Sequence, residues 1–183
     1  MSEGIGARVL RKEDKRFITG KGRYTDDIIE ANQAYAAFVR SPHAHARIVS
    51  LDTSAALAME GVETVLTGPE LVADGIGNII CGWGITSKDG TPMNMGAWSA
   101  LATEKVRYVG DAVAIVVADS KSQAKLAAEA VVVTYEELPV VVGSVDALAP
   151  SAPKIHDNAP GNLIFDWEIG DLSPTDAALA SAA

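Results

Sequence analysis

Ala112-Val113-Ala114-Ile115-Val116-Val117-Ala118, followed by Ser120-Lys121-Ser122-Gln123 and later by Val131-Val132-Val133-Thr134-Tyr135, reads as strand, helix, strand. The first run is apolar at every position, so both of its faces need cover, which places it in the middle of a sheet. Ser120 and Gln123 stand at capping-box spacing, where each side chain can satisfy a free backbone N–H at a helix start. Ala124, Ala127, Ala128 and Val131 follow at i, i+3, i+4 and i+7. That spacing predicts a helix with one small-residue face, able to lie close against the sheet. Glu136-Glu137-Leu138-Pro139 closes the second strand.

The same order occurs upstream. Arg47-Ile48-Val49-Ser50-Leu51 reads as a strand and Ala55 to Glu60 as a short helix entered through Asp52-Thr53-Ser54. Gly61 is placed to stop that helix in the left-handed conformation. Val62-Glu63-Thr64-Val65-Leu66 is the next strand, and Thr67-Gly68-Pro69 reads as a turn. Two strand–helix–strand units hint at an internal pseudo-repeat, each of a length compatible with a βαβ crossover. Ala34 to Arg40 adds a strand before Ser41-Pro42. Residues 71–101 lose all periodicity and predict a long irregular loop, of the kind that is usually functional or interface-forming.

At the ends, the segment to Ile28 is polar and Gly-punctuated and predicts a surface arm. Residues 148–162 hold three prolines and a glycine and predict a linker. Leu163, Phe165, Trp167 and Ile169 alternate with more polar neighbours and predict a half-buried strand. Ser173 as cap and Pro174 at the first helical position predict a last helix, which runs to Ala183 without a stop signal. The expected organisation is an arm at 1–28, a main domain at 29–147, a linker at 148–162 and an opening strand and helix of a further region at 163–183.

The composition narrows the function. The chain has 183 residues, 48% hydrophobic and 21% charged, which fits one globular domain with a core. Fifteen basic against 24 acidic residues give a formal charge of −9, which disfavours a nucleic-acid or anionic-lipid partner. Cys81 is the sole cysteine, so no intrachain disulfide framework or thiolate cluster can form from this chain. Met1 to Arg8 holds no signal-peptide core, and no apolar run approaches a membrane span, which predicts a cytoplasmic protein.

Catalytic motifs are absent. Gly20-x-Gly22, Gly75-x-Gly77 and Gly82-x-Gly84 lack the third glycine and the helix of a dinucleotide fingerprint and read as turns. His43 and His45 would share a face on an extended segment, a metal-compatible spacing, but neither Cys81 nor His156 completes a second pair. A structural role is therefore expected for both. Cys81 has no Lys, Arg or His adjacent in sequence and reads as an inert, partly buried thiol. Asp26-Asp27 and Glu136-Glu137 are neighbours that point to opposite sides, which predicts solvated acids rather than an acid/base pair. No catalytic, cofactor-binding or metal residue is assigned.

Five strings occur together and in order. They are Gly6-Ala7-Arg8 with Thr19-Gly20-Lys21-Gly22-Arg23-Tyr24-Thr25-Asp26-Asp27-Ile28; Arg40-Ser41-Pro42-His43-Ala44-His45-Ala46-Arg47-Ile48; Gly61-Val62 with Leu66-Thr67-Gly68; Val106 to Ala114; and Tyr135-Glu136-Glu137-Leu138-Pro139. Together they resemble the N-terminal a/b hammerhead domain of the xanthine dehydrogenase and aldehyde oxidase family, with carbon monoxide dehydrogenase-like large subunits nearest in character. Most family members carry proline at the place of Ala112 and a Pro-His-Pro-type stretch near Gly96-Ala97-Trp98-Ser99, both lacking here.

The resemblance implies an α+β fold, an a/b hammerhead with a mixed sheet, two short crossover helices and a long irregular loop. It implies the start of a molybdenum hydroxylase large subunit whose molybdopterin, of cytosine dinucleotide type, binds downstream. That subunit would hydroxylate an electron-poor carbon of an N-heterocycle, purine or aldehyde, or oxidise CO, with electrons leaving through 2Fe–2S centres to FAD on small and medium partner subunits. The chain alone is then expected to bind no cofactor and to be inactive. Two alternatives remain: a free-standing interaction module that reuses the fold, and a carrier-type module, which would need a Met-Lys hairpin tip that the sequence lacks.

Overall fold

The computed structural model describes residues 4–6, 9–96 and 98–182. Ala7, Arg8 and Ala97 of the strings above, and Ala183 of the last helix, lie outside the described residues. The chain divides into two compact units, Met1–Gln33 and Ala34–Ala183. In the first, helix α1 (Asp14–Ile18) precedes a single turn at Thr25–Asp27. Phe17 stacks on Tyr24 at 5.3 Å between ring centroids, and the Asp27 carboxylate accepts from the Tyr24 N–H at 2.9 Å. Neither short element buries a residue.

The second unit holds strands β1 (Tyr35–Arg40), β2 (Ala46–Asp52), β3 (Val62–Thr67), β4 (Lys105–Val106), β5 (Ala112–Ala118) and β6 (Val132–Glu137). They form two open three-stranded sheets, β1-β5-β3 and β4-β2-β6. Among the described residues every strand pairing is antiparallel, where a mixed sheet was expected. The helices explain why. α2 (Ser54–Leu57) carries the chain from β2 in one sheet to β3 in the other, and α4 (Lys121–Ala130) carries it from β5 back to β6. The two strands of each strand–helix–strand unit therefore never share a sheet, and no parallel pair can form within a unit.

β5 sits where its apolar run requires, at the centre of its sheet, with Val113, Ala114, Val116 and Ala118 fully buried. Ala124 and Ala127 of α4 are equally buried, because methyl side chains let the helix axis approach the sheet. Two clusters, one around Ala114, Val116 and Ala127 and one around Ala46, Val106 and Val113, are joined by Val39, Leu51 and Val133, which touch both. The Ser120 hydroxyl accepts from the Gln123 N–H at 3.2 Å, as expected of a cap. The reciprocal half differs. The Gln123 amide donates across the fold to the Glu60 carbonyl at 3.1 Å and so ties α4 to the turn at Gly61, whose φ of +78° is left-handed.

Other expectations need correction. Thr67-Gly68-Pro69 begins a helix, α3 (Gly68–Ala73), rather than a turn, since the Glu70 carboxylate accepts from the Thr67 N–H at 2.8 Å. α5 (Ser144–Ala147) forms at the end of the main domain. Residues 163–169 are extended but form no strand; Leu163, Phe165 and Trp167 are 40–44% exposed, about half-buried as expected, whereas Ile169 is 83% exposed. The stretch read as a linker is packed in part, with Ala159 fully buried. α6 (Leu172–Ser181) buries nothing, and its N-terminus carries no side-chain cap. Amides of α6 are therefore expected to exchange within the dead time of a hydrogen-exchange measurement, while those of β5 exchange only through global unfolding. Protection in α6 equal to β5 would contradict this.

Candidate functional site

A cavity lies where the long loop meets the segment after β6. Its volume is about 690 Å³, and its walls come from Ile79, Ile80, Met93, Met95 and Trp98 on the loop side and from Val141, Ile155 and Ile164 opposite. No periodic element supplies these residues, so no sequence pattern could have grouped them. The signal in the sequence was coarser, Trp and Met scattered through a loop too long to be idle.

His156 marks the polar edge. Its ring lies 6.1 Å from Trp98, with planes 30° apart, and Trp98 lies 6.4 Å from Tyr108. Gly96 allows the contact, since a Cβ there would sit 3.0 Å from the His156 Nδ1. Burial, and after it the Arg107 guanidinium, push the His156 imidazole below its ordinary value. The ring is therefore neutral at pH 7. The nearby cations are committed. Arg107 Nε donates to the Ile155 carbonyl at 3.2 Å, and Lys105 Nζ lies 3.1 Å from Asp157 Oδ2. Both side chains also border a second cavity of about 230 Å³, which His156 and Trp98 share with the first. A neutral, mostly apolar hollow of this kind recognises apolar surface.

The residues singled out in the sequence are dispersed. His45 is buried, and its Nδ1 donates to the Pro139 carbonyl at 2.7 Å, while its Nε2 has no partner among the described residues. His43 turns elsewhere, with Nδ1 3.5 Å from Glu137 and its ring 4.9 Å from Tyr135. Each histidine thus holds the end of β6 by a separate contact. Glu136 pairs across the strands with Arg47 at 3.1 Å. Cys81 lies in the cavity wall but is exposed, not partly buried, and its thiol donates to the Trp83 carbonyl at 3.3 Å. Gly20 and Gly75 adopt left-handed φ values of +70° and +77° as turn residues. Among the described residues, no group of three His, Cys, Asp or Glu is placed to hold a metal ion.

Residues 19–139, which contain both sheets, match the family model described as "Aldehyde oxidase and xanthine dehydrogenase, a/b hammerhead domain". The chain belongs to this hammerhead family. The carbon monoxide dehydrogenase large chain of Hydrogenophaga pseudoflava is 41% identical to it over 98% of the chain and 22% of that relative. The xanthine dehydrogenase molybdenum-binding subunit of Escherichia coli O157:H7 is 37% identical over 80% of the chain and 19% of the relative. The crystal structure of quinoline 2-oxidoreductase from Pseudomonas putida 86 superposes with a TM-score of 0.76 at 36% identity, over 100% of the chain and 22% of its own. The hammerhead chain therefore spans about a fifth of the length of these relatives. The family model ends at residue 139, before the second wall of the cavity, whereas the similarity to the Hydrogenophaga protein takes in nearly the whole chain. Among the described residues, no helix of the hammerhead chain is long and apolar enough to cross a membrane.

Proposed function

We propose that this chain is the hammerhead part of a molybdopterin-dependent hydroxylase large subunit, in which it serves as a docking domain rather than as a catalytic one. In that reading, residues 29–147 are the domain proper, 148–162 lead away from it, and 163–183 open the molybdopterin-binding region. The observation that carries the docking role is the apolar cavity, with Ile79, Ile80, Met95 and Trp98 left exposed at its wall while the cations beside it are already paired. Exposed apolar side chains grouped in this way suit a docking contact.

The bound molybdenum centre would supply the oxidising site for a small N-heterocycle, purine, aldehyde or CO. Partner subunits carrying 2Fe–2S centres and FAD would take the electrons away. No residue of this chain is assigned to that chemistry, and a cytoplasmic setting suits such an assembly. The test is direct. The purified 183-residue chain is expected to contain no molybdenum by elemental analysis and to turn over neither purines, aldehydes, N-heterocycles nor CO. Stoichiometric molybdenum or pterin in the chain would overturn the proposal.

A further inference from the structure

The extended segment 163–169 is held by a small set of contacts, most of them to a hairpin and the residues on either side of it; among these the Asn94 Nδ2 donates to the Leu163 carbonyl at 3.0 Å. Residues 85–93 form that hairpin: the Met93 N–H donates to the Ile85 carbonyl at 2.9 Å, and the Ser87 N–H donates to Thr91 at 2.8 Å. Both arms then donate to the segment, Lys88 N–H to the Asp166 carbonyl and Asn94 N–H to the Ile164 carbonyl, each at 2.8 Å. The Asp166 N–H answers with a bond to Ser87 Oγ at 3.2 Å. Lys88 Nζ closes the contact on Asp166 Oδ2 at 2.8 Å, both side chains about half exposed. Trp83 and Trp167 meet edge to face at 6.3 Å.

Three features set this segment apart from the body of the fold. It belongs to neither sheet. It is bounded by left-handed residues, Asn162 at φ +56° before it and Gly170 at φ +100° after it, which concentrates the backbone turn at its two ends. Its Ile164 side chain forms part of the wall of the apolar cavity. Few buried contacts and defined pivots are the marks of a unit that opens locally, well below the free energy of global unfolding.

We propose that residues 163–169 act as a latched strap, which leaves the hairpin as one unit and opens the side of the cavity that Ile164 closes. The Lys88–Asp166 pair is the latch. Glu168 and Asp89 are the other charged groups that act on Lys88, and both favour its cationic form. Replacing the lysine by a carboxylate would therefore turn attraction into repulsion on every side.

Residue-resolved hydrogen exchange on the full chain tests this. The amides of residues 88, 94 and 166 are expected to exchange with one shared opening equilibrium, faster than the amides of β5. Lys88→Glu should speed all three by about two- to fivefold, the range an exposed ion pair supports, without changing β5. Asp166→Asn should act in the same direction, and the swapped pair Lys88→Glu with Asp166→Lys should return the three amides toward the parent rate. Three unrelated rates, a rate equal to that of β5, or indifference to Lys88→Glu and Asp166→Asn would each overturn the strap.

Discussion

Gly68→Ala is expected to destabilise the second unit by about 3 kcal/mol, at the upper end of what overpacking by one methyl group usually costs. The backbone φ at Gly68 is unexceptional, so the penalty is one of space. A Cβ there would run into the Ala102 carbonyl oxygen, with the Ala102 carbonyl carbon 2.8 Å away and the Leu101 oxygen 2.9 Å away. These are backbone atoms, and they cannot swing aside as the tip of a side chain can. Ala102 is itself fixed, since its N–H donates to the Ala112 carbonyl at 2.7 Å and its side chain is buried against Val113 and Val106. Relief must therefore come from separating the start of α3 from the end of the long loop. In a chain of this length the loss corresponds to a fall in Tm of about 6–12 °C. Gly77→Ala supplies the control, because that glycine has no left-handed φ and nothing within 4 Å. It should change stability by no more than about 0.5 kcal/mol. Equal melting of the two variants would refute the close approach at Gly68.

What could be read in the sequence follows from how local its cause is. β5, α4 and the Ser120 cap were legible because an uninterrupted apolar run and a 3.6-residue spacing act within a dozen residues. α3 has a local signature too, although Gly68-Pro69 on its own predicts a turn. Thr67 with Glu70 three positions on is a helix start, and proline is welcome in a first turn. The alternation at 163–169 is real, but it meets a hairpin that the sequence does not announce, so an extended strap results and not a sheet strand. The split into two antiparallel sheets lay outside any local pattern, because it depends on which sheet each short helix delivers its strand to. The cavity is the extreme case. Its walls come from residues 78–98 and 141–164, and only the tertiary fold brings them together.

Asn162 offers the second large effect, and it links that cavity to the path of the chain. Its side chain makes three bonds to backbone. Oδ1 accepts from the Ile155 N–H at 2.9 Å, and Nδ2 donates to the Ala147 and Pro153 carbonyls, each at 3.0 Å. One side chain thus gathers the end of α5, the proline stretch and the residue that precedes His156. Its backbone is left-handed at φ +56°, which asparagine tolerates better than most residues. The two roles separate by substitution. Asn162→Gly keeps the backbone conformation and loses all three bonds, which should weaken the local closing of residues 147–162 by about 2–4 kcal/mol. Asn162→Ala loses the same bonds and adds the left-handed penalty, for about 1 kcal/mol more. Asn162→Asp keeps an acceptor for Ile155 but turns a carboxylate toward two carbonyl oxygens, so the side chain should leave the site and the variant should be no better than glycine. Exchange of the Ile155 amide measures each step. A glycine variant with the parent's protection would show that the three bonds do not hold the segment, and an alanine variant more protected than glycine would remove the conformational part of the account.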